Sequence, residues 1–321
     1  KVFSQKFIEI LKQEYETEEC RTNLWEHLYM KHLDVLKMKI KRYPTGVIQE
    51  FDSLEELRLF DDKYICNTDS RIIGHICDVL GCSDENISSI HSIKQGLTNS
   101  SFYFSVIKDG VEEKYVYRHP GIGTDEYINR DSEVFSMRVA KKLNLDDTFI
   151  YMSPRGWKLS RYVENARTLD YHNPKEVGTA LDMMRKLHSA NIQSEYDFHI
   201  WERARDFVAK IRERGRADFA DFQELFDKMG NLFYLSKQDN VKECLCHCDC
   251  YDPNFLIGED GKMYLIDWEY SGNDDPASDL GTFICCSDYS KDEADEIIKL
   301  YLGHEPSQIE LRHYYAYVAI A

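Results

Sequence analysis

Apolar positions change their period along this chain, and the changes mark its parts. In residues 1–68, Phe3 to Tyr15 and Leu24 to Ile40 carry apolar side chains at helical spacing, which predicts two amphipathic helices. Tyr43-Pro-Thr-Gly46 reads as a turn, Val47 to Phe51 as a strand, Asp52-Ser53 as a helix cap and Leu54 to Phe60 as a short helix. Asp69 to Leu80 reads as a further helix that Gly81 stops.

From Ile87 the pattern turns to short alternating runs. Ile90 to Ile107 holds two strands around Gln95-Gly-Leu-Thr-Asn-Ser-Ser101, Lys108-Asp-Gly110 is a hairpin turn, and Lys114 to Arg118 is the next strand. Glu126 to Leu143 predicts one helix, followed by strands at Thr148–Met152 and Trp157–Val163. Helical spacing then dominates, at Pro174–His188, His199–Glu213 and Phe219–Leu235, and again near 277–286, 291–302 and 306–321. Three short strands interrupt it between 244 and 267. A small β-rich lobe with one helix, a hinge and a helical lobe form an α+β, two-lobed, protein-kinase-like fold, preceded by a short α/β segment. The expected boundaries are 1–68 for that segment and 69–321 for the two lobes, the first at about 69–164 and the second at about 165–321.

The strand-rich interruption carries the chemistry. His247-Cys-Asp249-Cys-Tyr-Asp-Pro-Asn254 is followed, thirteen residues after Asn254, by Asp267 at the end of an apolar strand. Phosphoryl transfer asks little covalent chemistry of a protein; it needs a carboxylate to orient the attacking hydroxyl and oxygen ligands to hold Mg²⁺ against ATP. Asp249 fits the first role, and Asn254 and Asp267 fit the second. Gly96, Thr98 and Asn99 lie between the first two strands, where small and hydroxyl residues let backbone N–H groups approach phosphate oxygens. Arg118 ends the third strand as the phosphate-pairing cation, and Glu133 on the next helix is its partner. Arg130 reads as a surface or helix-capping residue. His188, His247 and Asp279 read as braces of the Asp249 loop.

Composition narrows the picture by exclusion. The formal charge of −17 argues against a nucleic-acid footprint, which needs clustered Lys and Arg. No apolar run approaches a membrane span, so membrane insertion is not expected. Ten scattered cysteines in a chain of 321 residues fit reduced thiols in the cytoplasm better than a secreted disulfide framework. The run of four alternating cysteines, Cys244 to Cys250, lacks the second ligand pair of a zinc site.

At these residues the chain resembles the choline/ethanolamine kinase family, most of all its bacterial choline kinase branch. Leu245-Cys-His-Cys-Asp249 through Asn254, Ile266-Asp-Trp-Glu-Tyr270 and Asp275-Pro-Ala-Ser-Asp279-Leu carry the likeness, with Tyr115-Val-Tyr-Arg118, Arg130-Asp-Ser-Glu133 and Met184-Arg-Lys-Leu-His188. The resemblance covers about 70–321. It implies ATP-dependent phosphorylation of the small molecule choline or ethanolamine, with Asp249 as base, Asn254 and Asp267 as Mg²⁺ ligands, and Arg118 on the phosphates with Glu133 behind it. Animal choline kinases place a carboxylate where this chain has Cys286, and the family's tryptophan-rich helices are expected beyond Ala321. Tyr270, Tyr289 and Tyr314, with Asp288 as an anion, are the remaining candidates for the cationic end of the substrate.

Residues 1–68 resemble the closing segment of CTP:phosphocholine cytidylyltransferase-type nucleotidyltransferases, through Asn23-Leu-Trp-Glu-His-Leu and Gly46-Val-Ile-Gln-Glu-Phe-Asp52. That likeness implies that Asp52 is a counterpart of a metal-holding Asp and that the chain is a piece of a fused enzyme. An aminoglycoside, thiamine or other amino-alcohol kinase of the same fold is the alternative. A non-catalytic nucleotide-binding module is a further one, which predicts loss of Asp249, Asn254 or Asp267.

Overall fold

The computed structural model describes residues 2–15, 17, 24–39, 41–44, 47–48, 70–93, 99–121, 123–215 and 219–321. The chain divides into two compact units, Lys1–Leu57 and Arg58–Ala321.

In the first unit, helices α1 (Val2–Glu14) and α2 (Trp25–Lys31) meet through aromatic rings. Phe3 lies 6.1 Å from both Phe7 and Tyr29, and Trp25 meets Phe7 edge-on at 6.2 Å. The helix expected over Leu24–Ile40 ends early, at Lys31. His32 binds Glu14 across the helix pair at 2.5 Å, and a turn closed by Val35 N–H donating to His32 O sends Leu36 inward, where it is buried. The helix expected at 54–60 and Asp52 lie outside the described residues, as does most of the strand expected at 47–51.

The second unit opens with helix α3 (Ser70–Leu80), strands β1 (Ile87–Ile93), β2 (Asn99–Lys108) and β3 (Val111–Pro120), helix α4 (Arg130–Lys142), and strands β4 (Phe149–Met152) and β5 (Lys158–Arg161). The strands form an antiparallel sheet in the order β1-β2-β3-β5-β4. The β2–β3 hairpin turns at Asp109-Gly110, both with positive φ, the backbone that a tight two-residue hairpin requires. Ile76 of α3 packs beneath the sheet on Ile90, Phe104, Tyr117 and Leu159. Trp157 adds a stack between His75 at 4.7 Å and Tyr117 at 5.6 Å.

Helix α4 starts four residues later than its hydrophobic pattern predicts. Asn129 accepts from the Asp131 and Ser132 N–H groups at 3.1 and 3.2 Å, capping the helix, while Thr124–Glu126 forms a separate short turn.

The helical lobe continues with β6 (Arg167–Thr168), α5 (Pro174–Ser189), α6 (Ile200–Glu213), α7 (Phe222–Ser236), β7 (Cys244–Cys246), β8 (Phe255–Ile257), β9 (Met263–Leu265) and β10 (Gly272–Asp274). It closes with α8 (Ala277–Cys285), α9 (Lys291–Leu302) and α10 (Gln308–Ile320). Two small sheets, β6-β8-β9 and β10-β7, sit among these helices. Their apolar faces join one core with Leu181, Met184, Leu187, Trp268, Leu280, Phe283 and Tyr317. Helix α8 approaches α10 so closely that a Cβ on Gly281 would lie 2.7 Å from the Tyr317 backbone. This core anchors the strands whose ends form the candidate site.

Candidate active site

Asp249 leaves β7, Asn254 precedes β8 and Asp267 follows β9, so the β8–β9 hairpin brings all three to one end of the small sheets. The Asn254 amide donates to the Asp249 backbone O at 2.8 Å and to its Oδ2 at 2.9 Å. That fixes the Asp249 carboxylate and leaves the Asn254 side-chain oxygen as an acceptor or ligand.

The loop is held from below by Asp279 at the start of α8. Its carboxylate accepts from His247 N at 2.9 Å, from Cys248 N at 2.6 Å and from His188 Nε2 at 2.8 Å. Burial would raise its pKa, but the His188 and His247 interactions hold it below the ordinary carboxylate range. Cys248 sits at φ 65°, a conformation costly for a residue with a Cβ, and the bond from its N–H to Asp279 stabilises it there. His247 donates from Nε2 to Ile266 O at 2.8 Å and meets Trp268 edge-on at 4.6 Å, tying the two halves of the motif together. The thiols of Cys246, Cys248 and Cys250 are pushed up by burial and are therefore protonated packing groups. His188, Cys246 and Asp279 stand within reach of one another, but His188 uses both ring nitrogens, on Asp279 and Tyr301.

Opposite the loop lies a buried charge network. Arg118 binds Glu133 at 2.6 Å, Asp267 at 3.2 Å and Glu269 at 3.6 Å. Burial works against its charge, and these three carboxylates hold it cationic. Arg130 is not a surface residue. It is buried, binding Glu133 at 2.9 Å and donating to Thr124 Oγ1 at 2.9 Å. Its guanidinium packs on Gly156, where φ is +86° and a Cβ would come within 2.7 Å of Arg130 Nε. Lys158 completes the set, 3.6 Å from Glu133 and 3.9 Å from Asp267. Glu269 receives the Asn99 amide at 3.0 Å and lies 3.7 Å from Arg130, joining β2, β3 and α4 to the segment after Asp267.

The donor set fits a divalent cation. Burial first, then the neighbouring Asp267 and Glu269, push the Asp249 carboxyl up to about 6. Burial and Asp267 likewise raise Glu269. Carboxylates that raise one another call for positive charge between them, and the Asn254 oxygen with the 36%-exposed Asp267 supplies the hard oxygen ligands that Mg²⁺ takes.

Other predicted residues fall elsewhere. Gly96 and Thr98 lie outside the described residues, and Asn99 is bonded to Glu269. Tyr270 is half-buried beside the motif, 6.0 Å from Phe198. Tyr314 does not offer a face to a ligand: it is buried against Tyr301 and His313, because α10 packs it into the core. Tyr289 is tied by its hydroxyl to Tyr171 O at 2.6 Å, and Asp288 is exposed at φ 59° beside it. The structure therefore does not gather Tyr270, Tyr289 and Tyr314 into one aromatic box. A recess of about 30 Å³, with room for about one water, is lined by Tyr127, Tyr196, Phe198, Tyr270, Asp197 and Glu269, but Arg203 lines it too and already covers the Phe198 ring at 5.6 Å. A larger cavity of about 320 Å³ shares Tyr127 and Tyr270 but has Lys210 and Arg214 in its lining.

Sequence reasoning missed Glu269, Arg130 and Lys158 as members of the network. Glu269 carried a signal, two residues after Asp267. Lys158 carried none without the strand order.

A five-stranded antiparallel lobe over a helical lobe, with Asp249, Asn254 and Asp267 at the junction and an Arg–Glu pair opposite, defines a protein-kinase-like fold. The family model for choline/ethanolamine kinase matches residues 90–319, and the chain belongs to that family. Protein LicA of Haemophilus influenzae is 29% identical over 212 residues, 64% of this chain and 60% of that relative's length. The crystal structure of choline kinase LicA from Streptococcus pneumoniae superposes with a TM-score of 0.61 at 21% identity, covering 78% of this chain and 89% of that one. A structure of LicA in complex with AMP gives 0.58 at 23% identity, over 76% and 82%.

Proposed function

We propose that this chain transfers the γ-phosphoryl group of ATP to the hydroxyl of choline or ethanolamine. The observation that carries the reading is the Asp249–Asn254–Asp267 constellation facing the buried Arg118–Glu133 pair, in a member of the choline/ethanolamine kinase family. Asp249, oriented by the Asn254 amide, accepts the alcohol's proton as the new O–P bond forms. The bond from the γ-phosphorus to its bridging oxygen breaks, and ADP leaves with that electron pair. Asn254 and Asp267 would hold Mg²⁺, which when bound neutralises phosphate charge. Arg118, braced by Glu133, positions a phosphate oxygen. Buried, unpaired thiols such as Cys244, Cys246 and Cys248 support a reducing, cytoplasmic setting.

The test is ADP release with choline, ethanolamine, thiamine and aminoglycosides as acceptors. Turnover with either of the first two is expected. Turnover with an aminoglycoside or thiamine alone would move the chain to another branch of the fold, and none at all would reject the reading.

For residues 1–68 we infer the closing segment of a cytidylyltransferase-type domain, a reading that rests on their sequence resemblance. A polypeptide extended ahead of residue 1 should form a CDP-alcohol from CTP and the phosphorylated product. Failure of a folded extended chain to do so rejects it.

A further inference from the structure

We propose that Lys158 is a second phosphate-binding cation of this site, beside Arg118, and that its ammonium takes an oxygen of the nucleotide's phosphate chain. The inference rests on the ATP-dependent reading above. Strand β5 pairs with β3 so that Lys158 stands directly opposite Arg118, and residues opposed in this way leave the sheet on the same face. Both side chains reach the same two carboxylates. Arg118 holds Glu133 at 2.6 Å and Asp267 at 3.2 Å; Lys158 stands 3.6 Å and 3.9 Å from the same oxygens.

Those distances separate the roles. Glu133 is already occupied, with Oε1 on Arg118 and Oε2 on Arg130, so Lys158 is not needed to brace it. Lys158 has three N–H donors. Its side chain is only 13% exposed, and its two carboxylate neighbours lie beyond hydrogen-bond length. A nearly buried cation held by charge alone, with its donors unused by those neighbours, is a costly arrangement unless a ligand completes it. The flanking carboxylate is Asp267, which faces the Mg²⁺ and phosphate side of the site, so the ligand atom that fits is an anionic phosphate oxygen. Glu133, Asp267 and Glu269 stand against Arg118, Arg130 and Lys158, three charges against three, and the neighbouring Asp249 adds a fourth carboxylate on the side where metal and phosphates would enter.

The experiment compares binding of ATP and of adenosine to the full chain, in the wild type, Lys158→Met and Lys158→Arg. Loss of one charge-assisted contact should weaken ATP about tenfold to a hundredfold in Lys158→Met while adenosine binds unchanged, and Lys158→Arg should recover most of the ATP affinity. ATP binding within twofold of wild type in Lys158→Met would overturn the proposal. Equal losses for ATP and adenosine would overturn it too, because they report a structural role. Should Lys158→Met fail to fold, reductive methylation of the wild type decides: ATP should shield Lys158 from labelling where adenosine does not, and equal labelling refutes the contact. A wild-type chain that binds no ATP at all defeats the kinase reading itself, a result separate from any of these.

Discussion

The two sides of the site are built by different physics. On the Asp249 side, one buried carboxylate, Asp279, organises the loop through two backbone N–H groups and one imidazole. Those partners come from the Asp249 loop itself and from the end of α5, 31 to 91 residues from Asp279 in the chain, and the hydrogen bonds are directional. On the Arg118 side, β3, α4, β5 and the segment after β9 contribute one or two charges each, and no element forms the network alone. The first side resembles a splint and the second a knot. A splint keeps its geometry when a ligand leaves, whereas a knot of opposed charges depends on every member.

That contrast is open to attack by mutation. The largest expected effect is Asp249→Asn, which should lower turnover by about two to four orders of magnitude while leaving thermal stability near wild type. Near-normal turnover would remove Asp249 from the role of base. Glu133→Ala comes next, because it takes from Arg118 and Arg130 the nearer of the two carboxylates they share. Unfolding in urea should register about 3–5 kcal/mol of lost stability, and a loss below about 1 kcal/mol would mean the knot is slack. Gly281→Ala should cost about 1–3 kcal/mol through overpacking against α10, read as a lower midpoint of denaturation.

A smaller effect is set by pH. His313 bridges Asp275 at 3.1 Å and Asp239 at 3.1 Å. Burial opposes its charge, but the two carboxylates prevail and its pKa is raised above the ordinary 6.5. A histidine raised in this way contributes stability that is fully present below about 6.5 and is lost as pH climbs through its folded pKa. Wild-type Tm should therefore fall over that rise relative to His313→Gln, and parallel curves would refute the bridge. The smallest effect belongs to Tyr314→Phe. Because the ring is buried in the core, the KM for the acceptor alcohol should stay within about twofold, whereas a large rise would restore Tyr314 to the substrate site.

Legibility in the sequence followed the same division. Asp249, Asn254 and Asp267 were readable because a strand, a loop and a hairpin fix their separation along the chain. His188, His247 and Asp279 were readable as braces from their places at a helix end, beside Asp249 and at the start of the next helix, although 91 residues separate His188 from Asp279. Arg130 was misread as superficial, since a charged residue in a first helical turn is ordinarily solvated and only the approach of Gly156 and Glu269 buries it. Tyr314 was misread because an aromatic residue on a closing helix looks the same whether it faces a ligand or a core. The helix over Leu24–Ile40 was overextended because periodicity does not register a tether such as His32 to Glu14.

By itself, the sequence determined the lobes, the order of their elements apart from the short strands β6 and β10, and the residues of the Asp249 loop, all of which depend on local period and spacing. The Arg118–Glu133 pair was expected from the sequence, and tertiary structure alone decided that Arg130, Lys158 and Glu269 share its buried volume. Cross-strand register and helix packing act between residues far apart in the chain, and nothing in local spacing encodes which charges they will bring together.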